Sequence, residues 1–205
     1  MRLYMMRHGQ TDWNKKHLFQ GRTDIPLNEN GRYVAELTRE GMKEIPFDIA
    51  FCSPLCRAKE TAEIILRGRD IELIEDERII EMGFGPYEAT DMRSLDECME
   101  IFFKHPEQFE VPEGSESFEE VLEREGAFLE ELRSNPNLQD STILIATHGA
   151  ALRGLKCYMK QGGIARFWEG GVHKNCGVTI VDVINGNFKI VEEATILYDE
   201  KVLKS

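Results

Sequence analysis

Short apolar runs alternate along this chain with longer segments whose apolar residues recur at helical spacing. The apolar runs cover residues 3–6, 48–52, 71–74, 142–146 and 178–183. Each run is too short for a typical helix and is bounded by polar residues, glycine or proline, so it predicts a buried strand. Strands that alternate with helices are typical of an α/β protein with a mostly parallel sheet.

The clearest predicted helix follows Ser117. Glutamates at positions 119, 120, 123 and 130 separate its apolar residues, so one face packs and the other meets water. Ser117 and Glu120 have the spacing of a capping box, which predicts that the helix begins here. The apolar positions are Phe118, Val121, Leu122, Phe128, Leu129 and Leu132.

The end of the chain predicts a different connection. Residues 178–183 and 188–191 are both strand-like, and Asn185-Gly186 between them suits the positive φ angles of a tight hairpin turn. We therefore expect the sheet to end in an antiparallel edge strand.

The segment from 82 to 117 fits the alternation worst, because it is rich in prolines and aromatic residues. With 205 residues and 41% hydrophobic content, the chain suits one domain spanning 1–205. We interpret 82–117 as an insertion in that domain, and we expect it to lie over the site and help to select the substrate.

Composition excludes several classes of partner. A formal net charge of -12 argues against nucleic acid, whose backbone would be repelled. No apolar stretch approaches the roughly 20 residues that a membrane helix needs, and the first strand begins without a secretory signal. The five cysteines are scattered and odd in number, which indicates reduced thiols. These features predict a cytoplasmic protein with a small-molecule partner, and they leave the oligomeric state open.

Two histidines stand at the ends of predicted strands. Arg7-His8-Gly9 follows the first run, and His148-Gly149 follows the fourth with only Thr147 between. Ligands of open α/β sheets bind beyond the carboxyl ends of the strands, so both histidines could meet one substrate.

The arginine beside the first histidine indicates an anionic ligand, and phosphate suits a forked donor. A neutral His8 could attack phosphorus directly. A structural role is the usual interpretation of a lone histidine, but the second histidine and the neighbouring Arg7 favour chemistry. Up to Asp24 the chain has five basic residues against two acidic ones. This excess indicates either a positively charged entrance to the site, a basic mouth, or a chance fluctuation in composition.

Further candidates lie after other predicted strands. Arg57 falls in the first turns of a helix entered at Pro54, near the positive end of the helix dipole, where it could hold the same phosphate. Alternatively, it is a surface arginine paired with a nearby glutamate. The polar loop after the first strand could bring Asn14 to the phosphate, or it could be an ordinary turn. Glu81 lies among apolar residues, where a carboxyl group can retain a proton and donate it.

Together, these motifs resemble the histidine phosphatase superfamily, the phosphoglycerate mutase-like proteins. The resemblance runs in order from residue 2 to about 185. It is carried by Arg7-His8-Gly9 with Thr11 and Trp13-Asn14, by Gly21, Asp24, Leu27 and Gly31, by Ser53-Pro54-Leu55, Arg57-Ala58 and Thr61-Ala62, by Glu81, Phe84-Gly85 and Glu88, and by Thr147-His148-Gly149.

The resemblance implies a three-layer α/β/α sandwich and no cofactor or metal. It implies that His8 is the phosphorylated nucleophile and Glu81 the proton donor. The residues implied to hold the phosphate are Arg7, Arg57 and His148, and those predicted to line the pocket are Asn14, Gln20, Gly21 and Gly149. The chain departs from the family pattern at Leu27-Asn28, at Tyr87-Glu88-Ala89 and at an extra serine, Ser115.

The function that we expect is a metal-independent phosphatase that hydrolyses small phosphomonoesters through a phosphohistidine. The nearest alternative is a phosphoglycerate mutase, which returns the phosphoryl group from His8 to another hydroxyl. A metallophosphatase with His8, His148 and Glu81 as ligands is disfavoured, because two arginines would repel the cation. A non-catalytic module that binds phosphorylated ligands is a fourth possibility.

Overall fold

A computed structural model of the chain describes residues 1–94 and 96–198. These residues form one six-stranded sheet. The strands are β1 (Arg2–Arg7), β2 (Ile49–Cys52), β3 (Leu73–Glu75), β4 (Thr142–Thr147), β5 (Val178–Ile184) and β6 (Asn187–Thr195). Their order across the sheet is β3-β2-β4-β1-β5-β6.

The sheet is parallel except at its C-terminal hairpin. β1 pairs in parallel with β4, and β2 pairs in parallel with both β4 and β3. β5 runs antiparallel to β1 and to β6. Asn185 and Gly186 take φ angles of 50° and 74° at the hairpin turn. The predicted mostly parallel sheet with an antiparallel edge is therefore confirmed.

Helices cover both faces of the sheet. They are α1 (Asp12–Lys15), α2 (Glu29–Gly41), α3 (Cys56–Leu66), α4 (Glu97–Lys104), α5 (Phe118–Ser134) and α6 (Gly149–Lys160). Successive residues of a strand point to opposite faces, so β4 contributes to two separate cores. Leu144 packs in one core with Val34 of α2 and Ile65 of α3. The other core holds Ile143, Ile145, Phe128 of α5 and Leu152 of α6. The three-layer sandwich is thus confirmed.

Side-chain caps fix the residues at which two helices begin. Ser117 and Glu120 form the predicted capping box at the start of α5, with both reciprocal hydrogen bonds present. Asn28 accepts a hydrogen bond from the Gly31 amide and caps α2. Side-chain oxygens at these positions satisfy amide groups that the first turn leaves without partners.

The segment 82–117 contains α4 and two short 3₁₀ turns, at Gly85–Tyr87 and Pro106–Gln108. Leu95, which belongs to this segment, lies outside the described residues. The segment packs on the start of α5 and on the loop between α6 and β5 through an apolar cluster of its own. Its aromatic members include Phe19, Phe102, Phe118 and Phe167.

Within the described residues, no helix combines the length and the apolar character needed to cross a membrane.

Gly154 of α6 packs closely against α5. A β-carbon at Gly154 would overlap Oε2 of Glu125 and lie 2.8 Å from Cγ1 of Val121. Alanine normally stabilises a helix interior relative to glycine by about 1 kcal/mol. Here we expect Gly154→Ala to lower the free energy of unfolding by about 1–3 kcal/mol, because the helices must separate.

Thermal and urea unfolding test this expectation, with Gly162→Ala as the matched control. A β-carbon at Gly162 meets its nearest neighbour, Arg166 Cβ, at 3.4 Å, which is ordinary contact. Each kcal/mol shifts the melting temperature by about 2–4 °C in a domain of this size. Equal melting temperatures for the two variants would contradict the predicted overlap.

Candidate active site

The register of the sheet brings His8 and His148 together. Arg7 of β1 pairs with Thr147 of β4, and each histidine is the first residue after its strand. The His8 amide donates to the Thr147 carbonyl at 2.9 Å, and the two imidazole centroids are 5.2 Å apart. Both histidines therefore lie side by side at the carboxyl edge of the sheet.

His8 is held as a neutral imidazole with one nitrogen available for chemistry. Its Nδ1 lies 2.6 Å from the Gly9 carbonyl oxygen, which can only accept, so Nδ1 carries the proton and Nε2 keeps its lone pair. Burial lowers the pKa of His8 well below its ordinary value, and the positive charges of Arg57 and Arg7 lower it further. A neutral imidazole with a free Nε2 is the form that can act as a nucleophile.

Arg7 presents a cation to the same cleft. Its Nη1 donates to the His173 carbonyl at 2.6 Å, whereas its buried Nε has no hydrogen-bond partner among the described protein atoms. The guanidinium also lies against the start of α6, because a β-carbon at Gly149 would be 3.6 Å from Arg7 Nε. A buried guanidinium with unused donors is suited to bind an oxyanion.

Arg57 reaches the site from the first turn of α3, as predicted. Its Nη2 donates to the Gly21 carbonyl at 2.7 Å and its Nη1 to the Thr23 carbonyl at 2.9 Å. Its Nε donates to His148 Nδ1 at 3.2 Å. The surface ion pair considered from the sequence does not form, because Arg57 is fully buried.

His148 is fully buried behind this arginine. Its Nδ1 accepts from Arg57, so the proton lies on Nε2, which donates to Ser53 Oγ at 2.7 Å. Burial and the charge of Arg57 lower the pKa of His148 well below its ordinary value. A neutral His148 therefore orients the Arg57 guanidinium through a direct hydrogen bond.

Glu81 faces the N-terminus of α6 instead of the apolar surroundings expected from the sequence. Its Oε1 accepts from the amides of Met82 and Ala151, both at 3.0 Å. Its Oε2 accepts from the amides of Gly149 and Ala150, at 3.1 and 3.4 Å. Four backbone amides therefore fix the position of the Glu81 carboxyl group at the start of α6.

One cleft collects seven of the nine predicted site residues. Arg57 and His148 lie behind its wall and do not line it. Of the five basic residues that precede Asp24, only Arg7 lines it, so the predicted basic mouth does not form at this cleft. The predicted residues that do line it are Arg7, His8, Asn14, Gln20, Gly21, Glu81 and Gly149.

Three contributors were not assigned a role from the sequence. Ser53 binds His148, and Thr61 Oγ1 accepts from the Gly9 amide at 2.9 Å. Asn175 Nδ2 donates to the His8 carbonyl at 3.0 Å and to Asn14 Oδ1 at 3.2 Å. Asn175 precedes β5, and the start of an antiparallel strand lies at the same edge as the end of β1. The antiparallel direction of this predicted strand could therefore have indicated Asn175.

The donors near the cleft do not form a metal site. Within residues 1–94 and 96–198, no group of three or more His, Cys, Asp or Glu side chains is arranged to hold an ion. Both nitrogens of His148 are engaged by Arg57 and Ser53, and both oxygens of Glu81 by backbone amides. Two of the three ligands considered from the sequence, His148 and Glu81, are thus committed to other partners.

A neutral histidine and a carboxylate beside buried arginines, at the carboxyl edge of an α/β sheet, are typical of an enzyme that transfers phosphoryl groups. Comparison with known families agrees. The chain belongs to the histidine phosphatase superfamily (branch 1), whose model matches residues 3–195.

Individual relatives carry phosphatase and mutase names. Phosphoserine phosphatase 1 of Hydrogenobacter thermophilus is 30% identical over 83% of this chain and 82% of its own length. A 2,3-bisphosphoglycerate-dependent phosphoglycerate mutase of Cytophaga hutchinsonii is 34% identical over 78% of this chain and 77% of its own. The solved structure of Bacillus stearothermophilus YhfR is 30% identical, with a TM-score of 0.87 over 95% of this chain and 97% of its own.

His173 predicts a pH dependence of stability. It is 2% exposed, and burial together with the charges of Lys156 and Arg153 lowers its pKa to about 4. At pH values between about 4 and the ordinary histidine pKa of 6.5, His173 binds a proton in the unfolded chain but not in the native protein. The free energy of unfolding therefore falls with decreasing pH across this window, by up to about 1.4 kcal/mol per pH unit for this group.

Replacing His173 with glutamine removes this proton and keeps a polar group near Thr179 Oγ1, which lies 2.6 Å from His173 Nε2. We expect urea unfolding between pH 4.5 and 7.5 to give a shallower pH slope for His173→Gln than for the native protein. Identical slopes would show that His173 titrates alike in both states.

Proposed function

We propose that this protein is a metal-independent phosphatase that hydrolyses small phosphomonoesters through a phosphohistidine on His8. The observation that carries the proposal is the bonding of His8. Its Nδ1 proton points to the Gly9 carbonyl, and its Nε2 lone pair remains on a residue that lines the same cleft as Arg7 and Glu81.

In the first step, His8 Nε2 forms a bond to phosphorus while the bond from phosphorus to the ester oxygen breaks. The leaving oxygen takes a proton from the Glu81 carboxyl group. Arg7 binds the phosphoryl oxygens, and Arg57, held by His148, adds positive charge behind them.

In the second step, Glu81 is ionised and accepts a proton from an attacking water. The oxygen of this water bonds to phosphorus and the bond to His8 breaks, which releases inorganic phosphate. The four amides around Glu81 stabilise the carboxylate that exists between the two steps. Glu81 thereby acts as acid and then as base at one position.

A panel of phosphomonoesters, scored for released phosphate in the presence of a chelator, tests the function. We expect turnover with the chelator present and no stimulation by added divalent ions. Activity that the chelator abolishes and a divalent ion restores would overturn metal independence. Exchange between 2- and 3-phosphoglycerate with a bisphosphoglycerate primer, in excess of phosphate release, would identify a mutase instead. Tight binding of phosphate without turnover would indicate a binding module.

The remaining expectations belong to the same proposal. We propose a single domain over residues 1–205, supported by one sheet that includes strands from both ends of the described chain. Residues 199–205 lie outside the described part.

All five cysteines are free, which supports a reducing, cytoplasmic location. The formal net charge of -12 supports a small phosphorylated metabolite, not a nucleic acid, as partner.

A further inference from the structure

The cleft in front of His8 changes character away from the phosphate end. Among the described residues that line the cleft, only three are ionisable, and all three belong to the reacting end. They are Arg7, His8 and Glu81. The apolar part of the lining, which we call the aromatic wall, includes Phe19, Phe84, Met92, Phe103, Trp168 and Val172.

Three separate segments build the aromatic wall, and ring contacts hold them together. Phe19 lies 5.1 Å from Phe84 and 6.2 Å from Phe103, measured between ring centroids. Phe103 lies 5.0 Å from Trp168. Backbone hydrogen bonds fix the rim as well, because the Met92 amide donates to the His17 carbonyl at 2.8 Å. The wall is therefore preformed.

The wall offers a ligand little beyond apolar surface. Trp168 Nε1, the one polar atom of its side chain, donates to the Phe102 carbonyl at 2.8 Å, which leaves the ring for apolar contact. Met92 and Val172 are 38% and 45% exposed, so apolar side chains reach the rim. Concave apolar surface beside a few polar groups is typical of a site that buries an apolar part of its ligand.

Two arginines near the aromatic wall are engaged with carboxylates. Arg93, next to Met92, forms a bidentate pair with Asp91 at 2.6–3.2 Å. Arg22 donates to Glu116 at 2.8 Å. A carboxylate on the substrate would thus enter an apolar cleft without a dedicated partner, and burying an unpaired charge is costly.

We propose, on the basis of the phosphatase function above, that the preferred substrates are phosphomonoesters of apolar, ring-bearing alcohols, and that Phe103 is a specificity-determining residue. Phosphorylated hydroxy acids and amino acids, whose carboxylates find no cation at the aromatic wall, are poor substrates. This preference separates the chain from its relative named for phosphoserine.

The test compares primary-alcohol esters, so that differences in leaving-group acidity stay small. The substrates are 2-phenylethyl phosphate, ethyl phosphate, phosphoserine and 3-phosphoglycerate. We expect kcat/KM for 2-phenylethyl phosphate to exceed that for ethyl phosphate by about 10-fold or more, because one apolar group in a fitted pocket changes kcat/KM by at least this factor. We expect both carboxylated esters to fall below ethyl phosphate.

Phe103→Ala then tests whether Phe103 determines substrate specificity, with Phe109→Ala as the matched control. Both rings contact Phe102, at 4.9 and 5.0 Å, but only Phe103 lines the cleft. We expect Phe103→Ala to lower the ratio of kcat/KM between 2-phenylethyl and ethyl phosphate by about 10-fold, mainly through KM. The ratio should stay near its native value in Phe109→Ala.

The outcomes separate this preference from the function on which it rests. If no ester releases phosphate, the phosphatase function itself is wrong. If phosphoserine or 3-phosphoglycerate is hydrolysed as well as 2-phenylethyl phosphate, the aromatic preference is overturned and the phosphatase function stands. If both alanine variants change the ratio equally, Phe103 does not determine specificity. The native panel needs no variant, so it decides the substrate class even if a variant fails to fold.

Discussion

Replacing His8 with alanine is expected to lower kcat by on the order of 10⁴-fold or more, because the reaction loses the atom that accepts the phosphoryl group. The four amides on Glu81 and the hydrogen bonds of Arg57 and His148 do not involve the His8 ring, so the remaining cleft should keep its shape. The loss should therefore appear in kcat more than in substrate binding.

Trapping the intermediate makes this prediction specific. We expect a labelled phosphomonoester, quenched during turnover, to leave an acid-labile, alkali-stable phosphoryl group on the native protein and none on His8→Ala. His105→Ala is the matched control, since His105 is exposed and does not line the cleft. It should be labelled as the native protein is. Equal labelling of His8→Ala and the native protein would place the phosphoryl group on another residue.

Glu81→Gln is expected to slow hydrolysis of alkyl phosphates by about 10²–10⁴-fold, the usual contribution of a general acid. The amide cannot protonate the leaving oxygen, and its NH₂ group would face backbone N–H donors. That mismatch alone should lower the free energy of unfolding by about 1–3 kcal/mol. Activity and stability must therefore be measured together.

Leaving-group acidity separates the two effects of this substitution. 4-Nitrophenyl phosphate expels a stable phenolate that needs little protonation, so its first step should suffer far less than that of ethyl phosphate. Single-turnover measurements of phosphohistidine formation compare the two substrates directly, with the exposed Glu119→Gln as a control. Equal losses with both substrates would show that Glu81 supports the structure of the cleft without donating a proton.

The strands and the strand-end residues were predictable because their signals are local. Buried runs interrupted by Gly9 and Gly149 indicate strand ends by themselves, and the capping box at Ser117 depends on four consecutive residues. The family resemblance added roles that periodicity does not provide. Arg57, for example, would have been interpreted as a surface arginine paired with a glutamate if its motif had stood alone.

The surroundings of Glu81 could not be predicted in this way. Its neighbours along the chain are apolar, yet its carboxylate meets the amides of Gly149, Ala150 and Ala151, about 70 residues away. That contact depends on how α6 leaves β4. The aromatic wall is similar, because it joins side chains that lie as many as 153 positions apart in the sequence, from Phe19 to Val172. No local sequence pattern shows which aromatic rings will face a cleft.

The position of β1 in the middle of the sheet has a consequence for biosynthesis. β1 begins at Arg2 but pairs only with β4 and β5, which begin at Thr142 and Val178. Such distant pairing slows folding, and ribosomal synthesis of the intervening chain takes further seconds. A nascent chain must therefore keep its N-terminal strand unpaired until most of the protein has been made. A truncation that removes β5 should leave β1 as an exposed edge prone to aggregation.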